Sequence, residues 1–569
     1  MQACWELVTK PLAAAAVLAI TASSLPAQTP CGGPSGPDVI VGALTGPSNF
    51  TSTGGGTLEA LSLGTTSCNQ GQSALSWRSN NNQHPVIGGE LYRFKFVNGA
   101  GRFEQVGLSW LKHGFFAESQ TLCCPGCQAT DGTKLGPGCS DPYTSDRNAT
   151  QSLLGPRYQV NAFTGAFTYP PPHPSGGNTG RLEVAVADCE ASSPSGTRYF
   201  ANAQYITPDD AAAGNGTNNA SYREVTCFGA GTAWSFSFPG STQREVPAIR
   251  AWAVCESGVT LQNVQIPSEG MLILGHKVTD LGGGQYHYEY ALYNMNSDRC
   301  IGSFGIPIPA NVVVTNVGFH DVTYRGGDGV GGVNFSGADW PTKTSGGLFS
   351  WDTTAFSSDP NANALRFGTT YNFRFDANSP PTAGTITLGT FKVPGAVQVS
   401  AEIPSGDASP GVPFCFGDGT ANTCPCGNAG DPGSGCANSQ NPGGARLASS
   451  GTQSPDTVVL TASGELPSVL SIVLQGTTNN PSGFLFGDGL RCATGTLKRL
   501  YVKNAVGGVV TAPAGGDLSI TAQSAAKGDT IPSGGTRTYQ VYYRDSSASF
   551  CPAPPGDGFN VTNAVRITW

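Results

Sequence analysis

Charge is scarce in this chain of 569 residues: Asp, Glu, Lys and Arg together supply 12%, where soluble proteins carry roughly 25%. Such side chains mostly coat helix surfaces, so their scarcity excludes a predominantly helical protein. The shortage is greater on the basic side, with 30 basic against 38 acidic residues and a net charge of -8. Lysines stand singly and no basic stripe exists to neutralise phosphates, which excludes nucleic acid as a partner. Long hydrophobic runs are also missing; no stretch beyond the N-terminus approaches the ~20 apolar residues that cross a bilayer. Several enzyme signatures are absent as well. No serine stands in a G-x-S-x-G elbow, and there is no H-E-x-x-H, no G-x-x-x-x-G-K-[ST] and no G-x-G-x-x-G in a βαβ setting. Their absence removes the serine-hydrolase, zincin, P-loop and Rossmann readings.

In place of charge, the chain has 78 glycines and 41 prolines, and 38% hydrophobic residues. The hydrophobics come in short alternating runs, which predicts strands joined by turns rather than disorder. LYRFKFV predicts a half-buried strand with Tyr92, Phe94 and Phe96 on one face and Arg93 and Lys95 on the other. Alternation recurs in GMLILGHKVTDLG, QYHYEYALYNM, YNFRFD and TITLGTFKV, then in DTVVLTASG, SVLSIVLQG, DLSITAQ, RTYQVYYRD and VTNAVRITW. The expected fold is mainly β: two antiparallel β-sandwich domains follow a larger, irregular, disulfide-bonded β-rich N-terminal domain. The expected divisions are a signal peptide over 1–27, the cysteine-rich domain over 28–266, a sandwich over 267–404, a linker over 405–414 and a disulfide-bonded sandwich over 415–569. TPDDAAAGN predicts a short helix, with Thr207 as cap, Pro208 at the first position, Gly214 as stop, and Asp209 and Asp210 at the positive dipole end.

Lys10 precedes the apolar run Pro11 to Ile20, and the small residue Ala27 precedes Gln28, the pattern of a secretory signal peptide. Without its first 27 residues the chain keeps sixteen cysteines: Cys31, Cys68, Cys123, Cys124, Cys127, Cys139, Cys189, Cys227, Cys255, Cys300, Cys415, Cys424, Cys426, Cys436, Cys492 and Cys551. An even number in an exported chain predicts disulfides throughout. Neighbouring Cys123 and Cys124 should take different partners, and Cys492 and Cys551, outside the last cluster, should pair with each other. Zinc in either cluster would need paired C-x-x-C knuckles, and only Cys124 with Cys127 supplies one.

CFGDGTANTCPCGNAGDPGSGC, GFLFGDGLRCATGTLKRLYV and the closing YQVYYRDSSASFCP and FNVTNAVRITW resemble a C-terminal module of secreted multi-domain proteins of planctomycete-like bacteria. RFEQVGLSWLKHGFF, GCSDPYTSDRN, TPDDAAAGNGTNNASYREV and ALRFGTTYNFRFDAN resemble a segment shared among such proteins. The resemblance implies a secreted bacterial protein and carries over no catalytic residue.

Candidate chemistry is sparse. His84 and His113 flank one strand pair and form the one candidate base or copper-ligand pair, with no third ligand at a defined spacing. His287, alternating with Tyr286, Tyr288 and Tyr290, should point away from the tyrosine face, which itself reads as sandwich core. Asp131, Asp141, Asp146 and Asn148 lie in glycine-rich loops that suit calcium but lack the EF-hand spacing, and turn roles compete. No other cofactor is expected. Glu90, Glu104, Glu118 and Glu183 are the glutamates from which a glycosidase pair could come, since such pairs converge from distant strands without a local motif. The leading expectation is therefore a secreted cell-surface or matrix protein that binds glycan or surface components, with no transmembrane anchor in the mature chain. A polysaccharide hydrolase with N-terminal carboxylates and a metal-dependent redox protein are the alternatives.

Overall fold

The computed structural model describes residues 31–569 apart from 54–55, 115, 152, 173–180, 190–195, 231–232, 283, 407–408, 548 and 555. The signal-peptide segment and His173 lie outside the described residues. The described residues are 47% strand and 7% helix, as expected of a backbone rich in turns and poor in helix-coating charge.

An antiparallel sheet of 11 strands builds the first part. Leu58–Asn69, Leu182–Ala185, Ala100–Leu108, Val86–Val97, Arg198–Ile206 and Ala220–Ala230 lie side by side in that spatial order. The LYRFKFV segment departs from its expected exposure. Tyr92 and Phe94 are buried with Phe103, Phe200 and Trp252. The opposite face is covered too, because its charges meet carboxylates: Arg93 pairs with Glu104 at 2.7 Å and Asp188 at 2.8 Å, and Lys95 with Glu104 at 3.0 Å.

Two five-stranded antiparallel sheets form the next part. One holds Thr260–Gln265, Met271–Gly282, Gln285–Asn294, Thr369–Ala377 and Val314–His320; the other holds Thr342–Ser345, Leu348–Asp352, Ile301–Pro307, Pro381–Thr390 and Ala396–Pro404. The tyrosine face is core. Tyr288 stacks on Phe375 at 4.9 Å and Phe304 on Phe373 at 4.2 Å. The buried hydroxyls are satisfied, since Tyr288 Oη donates to the carbonyl of Ser379 and Tyr290 Oη to that of Glu402. Ile273, Ala291 and Tyr293, on the other face, join the cluster of Tyr92, Phe94 and Trp252. One end of that sheet is therefore apolar on both faces and packs against the first part, while Glu289, farther along the same face, pairs with Arg102 of the first part at 3.1 Å.

The C-terminal part pairs a six-stranded sheet with a three-stranded one. Gly411–Phe414 forms an edge strand on Ala564–Thr568. Leu470–Phe486 and Gly489–Asn504 make a long hairpin whose first strand also pairs with Thr536–Arg544. DLSITAQ is not a strand: Ile520–Ala526 is a helix burying Ile520 and Ser524. An i, i+4 burial repeat and three alanines favour helix over the alternation read from sequence. Trp569 packs half-buried on this core and donates from Nε1 to Tyr539 Oη.

Twelve cysteines form six bridges, and the expected partners need correction. Cys492 bonds Cys415, and Cys551 bonds Cys426, with Cys424–Cys436 closing the cluster. The reason is packing: Cys415 lies against Leu490 and Cys492, so only Cys424 and Cys436 pair within the cluster while Cys415 and Cys426 bond outside it. In the first part Cys31–Cys124, Cys68–Cys123 and Cys127–Cys139 are joined, giving adjacent Cys123 and Cys124 different partners. Cys189, Cys227, Cys255 and Cys300, expected in bridges, stand as thiols.

Candidate functional site: a groove braced by disulfides

The short strand Ser140–Tyr143 pairs with Leu58–Asn69, setting Asp141 opposite Ser67 and Tyr143 opposite Thr65. Two-residue alternation puts Asp141 and Tyr143 on one face. Thr144 then caps the helix Ser145–Thr150, its Oγ1 accepting from the Arg147 N–H at 3.3 Å, which lines up Arg147, Thr150 and Gln151 beside that face. Trp77 follows the small ribbon of Leu75–Ser76 and Lys134–Leu135 and is tied to Thr133 by a backbone bond of 2.8 Å. Gly114, Phe116 and Glu118 complete a groove of ≈ 460 Å³.

All three N-terminal disulfides hold this region. Cys139 immediately precedes the Ser140–Tyr143 strand, Cys68 sits opposite Ser140, and Cys123, Cys124 and Cys127 anchor the intervening loop. Gly42 lets the chain pass: a Cβ there would lie 2.3 Å from Cys68 Sγ and 2.4 Å from Cys123 Sγ. A site held this way loses little freedom on binding.

The groove combines aromatic surface with convergent polar groups, the usual make-up of a ligand site. Phe116 is 69% exposed and Trp77 only 2%. Trp77 Nε1 and Gln151 Oε1 are buried without a hydrogen-bond partner, leaving one donor and one acceptor unmet on lining residues. Asp141 accepts the Glu118 N–H at 2.8 Å. Burial pushes the Asp141 carboxyl up to about 7; the Glu118 charge adds to the rise, while the Glu118 N–H and Arg147 oppose it.

The remaining candidates are occupied elsewhere. His84 Nε2 and His113 Nδ1 bond each other at 2.9 Å, both rings are buried, and His84 Nδ1 meets the Arg78 carbonyl at 2.8 Å. Burial, then repulsion from His84, lowers His113 to about 3. Among the described residues no three His, Cys, Asp or Glu side chains gather as a metal site. Asp131 is exposed and accepts from Thr133 N and Oγ1, a turn role, and Asn148 Nδ2 donates to the Leu63 carbonyl. Glu90 pairs with Arg157, Glu104 with Arg93 and Lys95, and Glu183 with Arg325. Of the four glutamates, only Glu118 lines the groove. Asp209 and Asp210 fasten neighbouring chain, accepting from Ser76 N and from Val39 N and Asn219 Nδ2 respectively. Thr207 holds the cap position without a side-chain cap bond. His287, beneath the tyrosine face, lies between Asp376 at 2.6 Å and Glu289 at 2.7 Å. Burial alone would lower its pKa, but these bonds outweigh burial and raise it to about 9. Sequence reading missed Trp77, Phe116, Tyr143, Arg147 and Gln151, which no periodicity groups; their nearest signal is position beside the cysteine cluster.

No protein-family model matches the chain, and no curated protein matches it. Among solved structures, a serine-rich repeat adhesion glycoprotein from Streptococcus agalactiae aligns over 60% of this chain and 88% of that chain, at 8% identity and a TM-score of 0.16. A likeness that slight carries no argument. The observed bridges themselves are those of a protein built for an oxidising compartment, and no described helix is long and apolar enough to cross a membrane.

Proposed function

We propose that this is an extracellular or cell-surface binding protein that holds a glycan in the groove walled by Phe116 and Tyr143. The observation that carries the reading is this groove: the exposed ring of Phe116 and the half-buried ring of Tyr143 suit the C–H face of a sugar ring, with Glu118, Asp141, Arg147 and Gln151 beside them to bond hydroxyls. Disulfide bracing supports it, because preformed sites suit ligands that bring few apolar contacts. The test is a glycan array followed by retention on the best polysaccharide. Retention that persists on long incubation without released fragments is expected; no binding to any glycan overturns the reading.

One observation favours a second reading, a polysaccharide hydrolase. Asp141 is held protonated towards neutral pH beside the carboxylate of Glu118, and a raised acid next to a second carboxylate is what glycoside cleavage uses. Released oligosaccharide that disappears in Asp141→Asn while retention persists would establish hydrolysis in place of binding alone.

A further inference from the structure

Part of the outer face of the C-terminal six-stranded sheet is open. On Thr536–Arg544, Tyr539 and Val541 enter the core, so two-residue alternation sends Tyr542 and Arg544 outward, the first half-buried and the second exposed. Residues directly opposite across strands share a face. Phe559 stands opposite Arg544, and Ile472 is in register with both Tyr542 and Val502, which is 58% exposed. Arg499, opposite Leu474 and so on the side away from the inward Val473, is exposed on the same face.

Three rings form a platform there. Phe486 lies 4.9 Å from Phe559, and Phe559 lies 5.0 Å from Tyr542, centroid to centroid, with all three half-buried. The Arg491 guanidinium stands over Phe486 at 4.9 Å. The charge beside the rings is one-sided. Among the described residues the ion pairs of this part are Lys503 with Asp517 and Arg537 with Asp529, which leaves Arg491, Arg499 and Arg544 without a carboxylate. Of the acids close in sequence, Asp488 and Asp545 are buried and bonded, to Asp557 N and to Ser439, and only Asp557 is exposed.

We propose that this platform is a second polysaccharide site, for a chain that carries sulfate or carboxylate groups. It shares no residue with the groove of Phe116 and stands whether or not that groove holds a glycan. The rings of Phe486, Tyr542 and Phe559 take the C–H faces of sugar units, and the planar guanidinium groups beside them take oxyanions through paired N–H donors. Charge selects the occupant. A neutral sugar would cover the rings and leave three arginines unmatched, whereas an acidic peptide would meet the arginines without needing the rings. Residues 411–569 carry nine acidic and nine basic side chains, so the whole net charge of -8 lies in the rest of the chain. A polyanion is therefore repelled by the other parts and admitted here.

The test measures binding of the full chain to immobilised heparin, polygalacturonate and neutral dextran, with polyglutamate and oligothymidylate as polyanions that are not polysaccharides. At least one of heparin and polygalacturonate should bind tenfold or more tightly than dextran, and which of them does so tells sulfate from carboxylate. Replacing both exposed arginines, Arg499→Gln with Arg544→Gln, should weaken that binding at least tenfold, and Tyr542→Ala should weaken it several-fold, with urea unfolding of each variant confirming an intact fold. Phe116→Ala should leave it unchanged, which separates this site from the groove. The proposal is overturned if neither polysaccharide outbinds dextran, if the arginine pair or Tyr542 can be replaced without effect, or if Phe116→Ala abolishes the binding. Equal affinity for polyglutamate or oligothymidylate also overturns it, since the site would then read charge alone or a different macromolecule.

Discussion

Asp141 accepts the backbone N–H of Glu118 at 2.8 Å, so the segment carrying one acid of the groove is fastened to the other. The two residues lie 23 positions apart, with the disulfide-held loop between them. Their approach therefore depends on Cys123, Cys124 and Cys127 as much as on the strand that carries Asp141.

The raised Asp141 gives a pH signature. Unfolded, its carboxyl titrates near ~3.9; folded, at about 7. Between these values the folded protein binds more protons than the unfolded one, so this residue's contribution to stability falls as pH rises and is flat above the window. Asp141→Asn keeps an acceptor for the Glu118 N–H and removes the dependence. The stability of the parent relative to Asp141→Asn, from urea unfolding, should fall by up to ~1.4 kcal/mol per pH unit across the window. Parallel curves would refute the assignment; comparing the two proteins cancels Asp210, whose carboxyl burial also raises to about 7.

Phe116 offers the cleanest test of the groove because it is largely exposed. Phe116→Ala should leave stability within ~0.5 kcal/mol. Glycan retention should weaken by the ~0.5–1.5 kcal/mol typical of an aromatic contact, a few-fold to about tenfold in Kd. Unchanged retention would move the ligand away from this wall.

Glu90 and Arg157 form an ion pair at 2.9 Å with both side chains 0% exposed. Glu90 also accepts from Asn202, and Arg157 donates to the carbonyls of Ser109 and Phe367. Glu90→Ala should cost ~3–5 kcal/mol because it leaves a buried guanidinium without its charge partner. Thermal and urea unfolding would show it; a loss below 1 kcal/mol would mean that water replaces the carboxylate.

Residues 411–569 should fold alone, since their core and three bridges lie within them. In that fragment, serines at Cys426 and Cys551 open a span of 125 residues, whereas serines at Cys424 and Cys436 open one of 12. Chain entropy makes the first loss larger, ~5 against ~3 kcal/mol. Equal losses in denaturant unfolding would mean that native contacts, not the unfolded chain, set the difference.

Much of the β-architecture was legible because its signals are local. Alternation in QYHYEYALY identifies the sandwich core, and Pro208 with Gly214 frames the helix Pro208–Ala213. DLSITAQ misled because alternation and helical spacing overlap over so short a segment, and only the packing of Ile520 and Ser524 in the helix Ile520–Ala526 separates them. LYRFKFV misled because a charged face predicts solvent unless its partners are known, and Glu104 and Asp188 are supplied by other segments.

By itself the sequence determined a charge-poor, strand-rich chain with abundant cysteine and a secretory leader pattern, because composition, alternation and turn residues act through near neighbours. Only the tertiary structure decided which cysteines meet, which glutamates are spent in ion pairs, and that Trp77, Phe116, Glu118, Asp141 and Arg147 line one groove. Those outcomes follow from strand register and from packing between segments far apart in the chain, and burial then shifts the chemistry of a residue such as Asp141.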